Sequence, residues 1–246
     1  MLSEQRHKMI LDILREKRSV TVTELTNLLD ISESTARRDI VILDKAGRLV
    51  KVFGGAVLPD HTYQMAEPTV MQKSEVNREE KRKIAKYAAS LIQPQDFIYL
   101  DAGTTTGYML DFIEETNATF VTNAVAHAQK LAAKGAHVLL TGGTLKNSTE
   151  AVVGTMAVLT LKDYHFTKGF FGTNGVSRAA GFTTPDANEA LVKKTAVEQC
   201  MKAYMLCDNS KFNVVSAVTF TSLASGIILT DKKQEEFEEI AEIIYT

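Results

Sequence analysis

No stretch of the 246-residue chain reaches the roughly 18 consecutive apolar residues that a membrane-spanning helix needs. The opening residues, MLSEQRHKMILDIL, mix charges into their apolar positions, unlike a signal peptide. The two cysteines, Cys200 and Cys207, have six residues between them and no CxxC spacing, which excludes a disulfide framework and fits a reduced, cytoplasmic protein. The five histidines form no HxxxH or His/Cys ligand cluster, so no structural zinc is expected. No GxGxxG follows a strand-like run and no GxxxxGK[ST] occurs; dinucleotide binding and nucleotide hydrolysis are therefore not expected, and no cofactor is. A strong basic excess is missing too, with a net charge of −2.

The distribution of charge says more than its sum. Residues 1–58 carry ten Lys/Arg against eight Asp/Glu, a small positive surplus in a chain that is otherwise acidic. The length suits one small and one medium domain, and an apolar fraction of 45% can build a core in each.

In the first 58 residues, His7, Ile10, Leu11 and Leu14 recur at helical spacing, predicting a helix from about Ser3 to Glu16. Thr21-x-x-Glu24 has the spacing of a capping box and opens a second helix with Leu25, Leu28 and Leu29 as its stripe. After Asp30-Ile31, Ser32 can cap a third helix that buries Ala36, Ile40 and Leu43 and ends at Ala46-Gly47. Two helices joined by so short a turn make a helix-turn-helix. Opposite the apolar stripe of the third helix stand Ser34 and Arg38, flanked by Thr35 and Arg37. Guanidinium groups bind guanine edges bidentately, hydroxyls suit phosphates and bases, and such a helix fits the major groove; the same face could also be an ordinary solvated one. The run from Arg48 to Val57 predicts a two-stranded wing bent at Gly54-Gly55, with Lys51 in reach of phosphate, or else a plain hairpin that closes the small core. Val41 and Ile42 lie off the stripe, facing thymine methyls, the wing or a second subunit.

The segment VTVTELTNLLDISESTARRDIVILDKAGRLVKVFGGAV resembles the amino-terminal module of the DeoR family of bacterial sugar-metabolism regulators. Ser32, Thr35, Arg37, Arg38 and Asp39, with the closing Gly54-Gly55-Ala56, carry the likeness. Ala36 stands where that family commonly has a branched residue, which loosens the packing expectation and leaves the Arg pair untouched.

Residues 59–76 contain Pro59 and Pro68, lack a period and predict an extended linker. A helix is then expected from Asn77, paired cap-like with Glu80, through Ile84, Ala85, Ala88, Leu91 and Ile92. Its basic residues Arg78, Lys81, Arg82 and Lys83 fit either contact with DNA or phosphate or, more simply, a solvated helix face. From residue 97, apolar runs end repeatedly in small polar residues: FIYLDAGTTT, TFVTNA, HVLLTGG, GFFGTNG, AYMLCDNSK and GIILTD. Helical stretches over 105–115, 124–134, 186–201 and 232–244 separate most of them, which predicts a mainly parallel sheet covered on both faces. Ligands of such sheets bind beyond the carboxyl ends of the strands, where Asp101, Asn123, Gly142, Asn174, Asp208 and Lys211 fall.

Asp101-Ala102-Gly103-Thr104-Thr105-Thr106-Gly107 joins a strand to a helix start, combining glycine, hydroxyls and free N–H groups; it suits a phosphate or is simply a threonine-rich cap. Thr141-Gly142-Gly143 and Asp208-Asn209-Ser210-Lys211 add a backbone-rich turn and a carboxylate with a cation, a set suited to a polyol phosphate.

This half resembles the sensor domain of the same family, similar in fold to ribose-5-phosphate isomerase. The resemblance places effector binding at Asp101, Gly103, Thr104, Thr105, Asn123, Gly142, Gly143, Asn174, Gly175, Glu189, Lys193, Asp208 and Lys211; Thr106 joins them from the loop itself. The run KGFFGTNGVSRAAGFTTPDANEALVKK looks closest to the fructose-operon repressor branch, which implies fructose 1-phosphate as ligand. Glu189 and Lys193, four apart on one helix, leave two readings, a proton-transfer acid of an isomerase-like enzyme or a capping and surface pair. The expected whole is an α/β protein of two parts: a winged helix-turn-helix over 1–58, the 59–76 linker, and a sugar-phosphate effector domain over 77–246. Its expected role is that of a non-enzymatic, cytoplasmic, homo-oligomeric repressor, dimer or tetramer, bound to double-stranded operator DNA and released by a sugar phosphate. The alternatives are an isomerase-like enzyme and an activator answering a different sugar phosphate.

Overall fold

The computed structural model describes residues 2–17, 19–46, 48–57, 62–64 and 69–246. The expected helix end at Gly47 and the linker prolines Pro59 and Pro68 lie outside them. The chain divides into two compact units, Met1–Tyr63 and Gln64–Thr246.

In the first unit, α1 (Ser3–Lys17) leads through β1 (Ser19–Thr21) into α2 (Val22–Leu29) and α3 (Glu33–Lys45). The Thr21 hydroxyl accepts from Glu24 N at 3.1 Å while the Glu24 carboxylate accepts from Thr21 N at 2.8 Å, a complete capping box. Asp30, in the left-handed region at φ 50°, ends α2 and makes the tight turn. Ile10, Leu14, Leu25, Ala36, Ile40 and Leu43 close the core, and Ala36 is fully buried despite its size. Two expectations change. Leu28 is half exposed, because it lies about 90° around the helix from the centre of the Val22/Leu25/Leu29 stripe. His7 leaves the apolar stripe, and its Nε2 sits 3.1 Å from an Asp39 carboxylate oxygen.

Strands β2 (Val50–Val52) and β3 (Gly55–Val57) form the wing, with β3 between β1 and β2 in an antiparallel sheet. The two expected glycines divide the work. Gly54, at φ +82°, turns the hairpin together with Phe53, whereas Gly55 lets β1 approach, since a Cβ there would fall 2.2 Å from the Val20 carbonyl oxygen.

The strand β4 (Thr62–Gln64) spans the division, and the second unit continues with α4 (Val70–Glu75) and α5 (Arg78–Ser90). Part of the expected linker is therefore helical: Thr69-x-x-Gln72 forms a capping box, a signal that the missing apolar period obscured. The main elements that follow are β5 (Phe97–Leu100), α6 (Thr104–Met109), β6 (Thr119–Thr122), α7 (Val125–Ala133), β7 (His137–Leu140), the pair β8 (Thr144–Leu145) and β9 (Val152–Val153), α8 (Thr155–Lys162) and β10 (Phe166–Gly172). After these come β11 (Gly175–Ser177), β12 (Gly181–Thr184), α9 (Ala187–Glu198), β13 (Cys200–Leu206), β14 (Val214–Ser216), β15 (Val218–Thr221), β16 (Ile227–Thr230), α10 (Glu235–Glu238) and β17 (Glu242–Tyr245).

All neighbours in the seven-stranded sheet, β17-β16-β13-β10-β5-β6-β7, run parallel, as the six apolar runs predict. One face packs on α5, α6 and α7 through Ile84, Met109 and Leu131, the other on α8 and α9 through Ala157, Leu161 and Ala190. The helix expected over 232–244 shrinks to α10, and its end becomes edge strand β17. Ile243 and Ile244 pack on opposite cores, which is strand period and not helix period. The helix expected over 105–115 ends at Met109, and the one over 186–201 ends at Glu198, where Cys200 opens β13. Asn77 is not a side-chain cap: its φ is 52° and its Nδ2 donates instead to Asp208 at 2.7 Å.

Candidate functional site

On α3, Ser32, Ser34, Arg37 and Arg38 are exposed and Thr35 is half-buried. The Ser32 hydroxyl caps the helix by accepting from Thr35 N at 3.2 Å and lies 3.0 Å and 2.8 Å from the Ser34 and Thr35 hydroxyls. Arg37 is engaged by Glu33 one turn earlier, while Arg38 projects without a side-chain hydrogen bond among the described residues. Asp39, next to them in the same motif, points the other way. It is 1% exposed, and it joins α1 to α3 through Arg6 (Nη2 to Oδ1 3.0 Å) and His7. Burial pushes the Asp39 carboxyl up, but the hydrogen bonds and charge of Arg6 and His7 outweigh it, so its pKa lies below the ordinary value. The wing is fixed to the same helix, Lys51 N donating to Asp44 at 2.9 Å, which leaves the Lys51 side chain and Gly54 exposed and Gly55 buried. Phe53 at the wing tip is fully exposed, a feature the sequence reading passed over.

In the second unit the strand order reverses beside β5, which has β6 on one side and β10 on the other, and a cleft opens at the carboxyl ends of β5 and β10. It holds about 590 Å³ including its open mouth. Of the expected residues, Gly103, Thr104, Thr105, Asn174, Glu189, Lys193 and Lys211 line it together. Asp101 lies directly behind: Lys193 pairs with its carboxylate, which also accepts from Gly172 N at 3.0 Å, and Lys193 donates to the Gly172 carbonyl at 3.0 Å. Burial pushes the Asp101 carboxyl up against the pull of Lys193.

Other expected residues support the wall. Asn123 braces the loop, its Oδ1 accepting from Ala102 N at 2.9 Å and its Nδ2 donating to the Val152 carbonyl. Thr106 turns inward to the Gly103 carbonyl at 3.0 Å. Gly175 sits where a Cβ would fall 2.3 Å from the Val214 carbonyl oxygen, and Asp208 is buried behind Lys211. Gly142 and Gly143 are exposed and fall outside the lining, Gly143 serving the close pass of β9. Glu189 and Lys193 are not the surface pair their spacing suggests. Both are buried and each is engaged elsewhere, Glu189 by Thr149 and by Lys146 at 3.3 Å.

Sequence reasoning missed Lys73, Thr149, Gly172 and Thr173, which also line the cleft; of the two readings it left for Lys81, the structure discards the solvated face, since Lys81 is buried in the same lining. Of its three basic neighbours, Arg78 and Lys83 are exposed, and Arg82 pairs with Asp111 at 3.0 Å. His127 was missed as well: it is buried against Gly107 beneath the threonine loop, and burial, with Lys130, pushes it down to about 4. Four lysines thus gather at one mouth with four threonines, and α6, a turn and a half long, leaves most of the positive field to those lysines.

No helix among the described residues is long and apolar enough to cross a membrane. The model of the DeoR-like helix-turn-helix domain matches residues 6–62, and that of the DeoR C terminal sensor domain matches residues 76–232. The chain is 43% identical to an uncharacterized HTH-type transcriptional regulator, FruR, of Bacillus subtilis (strain 168), over 96% of this chain and 93% of that one. It is 31% identical to the HTH-type transcriptional repressor GlcR of the same strain, over 94% and 90%, and 30% identical to the lactose phosphotransferase system repressor of Streptococcus mutans, over 99% and 100%. Among solved structures, ribose 5 phosphate isomerase A from Neisseria gonorrhoeae overlays with a TM-score of 0.41 at 16% identity, over 56% of this chain and 54% of that one. These relatives are named as transcriptional regulators or repressors, and the chain belongs to the DeoR family, with a DNA-binding helix-turn-helix followed by a sensor domain of mainly parallel α/β build.

Proposed function

We propose that this protein represses a sugar-utilisation operon and leaves its operator when a sugar phosphate, with fructose 1-phosphate as first candidate, fills the cleft of the second unit. The observation that carries the effector reading is the meeting of Lys73, Lys81, Lys193 and Lys211 with Thr104 and Thr105 around one mouth. Cations and hydroxyls at that density suit a phosphate, while Asn174 and Glu189 on the same wall suit sugar hydroxyls. The names of the relatives, FruR and the lactose phosphotransferase system repressor, support a sugar operon.

Arg38 and Arg37 read base edges in the major groove, Ser32, Ser34 and Thr35 fix the helix on the backbone, and Lys51 with the Gly54-Gly55 wing contacts phosphate. Gly103, Thr104, Thr105, Asn174, Glu189, Lys193 and Lys211, with Lys73 and Lys81, hold the effector; Asp101, Thr106, Asn123, Gly175 and Asp208 shape the wall. Two or four copies of the chain, in the cytoplasm, present paired recognition helices to repeated half-sites, and the effector favours an arrangement with the wrong helix spacing. The effector must bind the two states with different affinity, and a typical coupling of about 1–3 kcal/mol weakens operator binding about 5- to 150-fold. Titrating labelled operator with fructose 1-phosphate, fructose 6-phosphate and other sugar phosphates tests this. Release by one of them is expected, tightening would make the protein an activator of the same kind, and indifference to all would end the sensor reading.

A further inference from the structure

Phe53 stands at the tip of the wing with its side chain wholly in solvent, yet the tip that carries it is tied down. Gly54, at φ +82°, turns the chain tightly, and its carbonyl accepts from Val22 N, at the start of α2, at 2.9 Å. On the other arm of the hairpin, Lys51 N donates to the Asp44 carboxylate of α3 at 2.9 Å. The ring is therefore presented by a hairpin fastened to both helices of the helix-turn-helix. Val50 and Val52, on the edge strand β2 that leads to it, are exposed as well, so apolar surface runs along the strand to its end. A Cβ placed on Gly54 would meet nothing within 4 Å, which makes the tip beyond Phe53 bare backbone, thin and open on all sides.

The size of this surface limits what can cover it. A stable protein interface takes about 800 Å² from each partner. One phenylalanine supplies about 150–250 Å², and two partly exposed valines do not make up the difference. Charge selects the partner. Residues 44–57 hold three cations, Lys45, Arg48 and Lys51, all exposed, against the single carboxylate of Asp44, which already accepts from Lys51 N. A narrow apolar tip that projects beyond a set of cations matches a duplex, where phosphates flank a minor groove about 6 Å wide with base edges at its floor.

We propose that Phe53 is a wedge: it enters the minor groove beside the major-groove stretch that α3 occupies, parts one base step and bends the operator there. Apolar side chains used in this way kink duplexes by about 20–90°. The proposal rests on the reading that the first unit binds operator through α3 and the wing. It adds to it an uncharged contact, and with that contact a base preference that needs no hydrogen bond. Pyrimidine–purine steps unstack most easily, so the operator should carry one, TA or CA, where the tip lands.

The test uses the full-length protein without effector and the duplex that it selects from a random pool. Wild type should bend that duplex when the site is moved along a fragment and gel mobility is read, and 2-aminopurine should brighten at one step beside the bases under α3. Phe53→Ala should lose the bend and the bright step and bind about tenfold more weakly. Its slope of log affinity against log salt should match wild type, since no charge is removed. Phe53→Leu should keep part of the bend. Wild type that binds with neither bend nor bright step overturns the proposal and leaves the operator reading standing, as does a Phe53→Ala protein that binds and bends like wild type. A shallower salt slope in Phe53→Ala assigns the tip to phosphate, and a changed sedimenting mass assigns it to another copy of the chain; either overturns the proposal. If Phe53→Ala lowers the thermal midpoint, the two wild-type measurements decide. Wild type that selects no duplex overturns both readings.

Discussion

The two units carry the same kind of charge in opposite surroundings. In the first, Arg37, Arg38 and Lys51 stand in solvent on a helix and a wing; in the second, Lys81 and Lys193 are buried at the ends of parallel strands. Exposed cations are cheap to keep, are screened within about 10 Å at ordinary salt and reach a large polyanion by long flexible stems. Buried cations cost desolvation and persist through particular partners, which makes them responsive to a small anion of one shape. Each unit also holds one buried pair as a strut, Arg6 with Asp39 and Lys193 with Asp101. On the proposed reading, a protein that holds a long duplex loosely and a small molecule selectively places its lysines and arginines accordingly.

The largest expected effect falls on the buried side of that contrast. Lys193→Met leaves Asp101, 1% exposed, without its counter-charge, and breaking such a pair costs about 3–5 kcal/mol. Denaturant unfolding should show the loss in the transition of the second unit, with the first unit unaffected; a loss below about 1 kcal/mol would mean that the buried pair is not a strut at all. Next in size is Arg38→Ala, expected to cost about 1–3 kcal/mol on operator and to relax base preference, whereas Lys51→Ala should weaken all duplexes alike and lower the salt slope by about 1. Equal behaviour of the two variants on operator and random DNA would erase the distinction between base reading and phosphate holding.

Those exposed residues were the ones most legible in the sequence. Helical period, the Thr21 and Ser32 caps and the paired glycines define the first unit almost element by element, because its logic is local. The six strand ends of the second unit were legible for the same reason. What escaped was non-local. Lys81 looks like one member of a basic run until α4 and the loop after β13 close over it. Glu189 and Lys193 look like a helix surface pair until Thr149, Lys146 and Asp101 arrive from distant segments. The tail 232–244 reads as helix because its acidic residues suit one, and sheet pairing with β16 overrides that preference.

Asp39 sharpens the comparison through pH. Its carboxyl pKa is depressed in the folded chain, so its contribution is complete above the unfolded value of about 3.9 and drains away as pH falls through the lower folded value. Asp39→Asn should therefore flatten the acid limb of the first unit's stability while destabilising it at pH 7, both readable from denaturant midpoints taken between pH 2 and 7. An unchanged acid limb would show that Arg6 and His7 do not bind the carboxylate in solution.

The smallest effect has the opposite sign. Glu33 and Arg37 form an exposed pair one helical turn apart, with side chains 63% and 60% accessible, and such pairs contribute about 0.3–0.5 kcal/mol at most. Glu33 also places a negative charge beside Arg37, next to the face proposed to meet DNA. Glu33→Gln should leave the thermal midpoint nearly unchanged, since the Ser32 cap remains, while it releases Arg37 and removes a repulsion against phosphate. Operator binding should tighten a few-fold at low salt, and the gain should shrink as salt rises. If the variant binds more weakly, Glu33 is holding Arg37 in its reading position, and the exposed side of this protein is as pre-organised as the buried one.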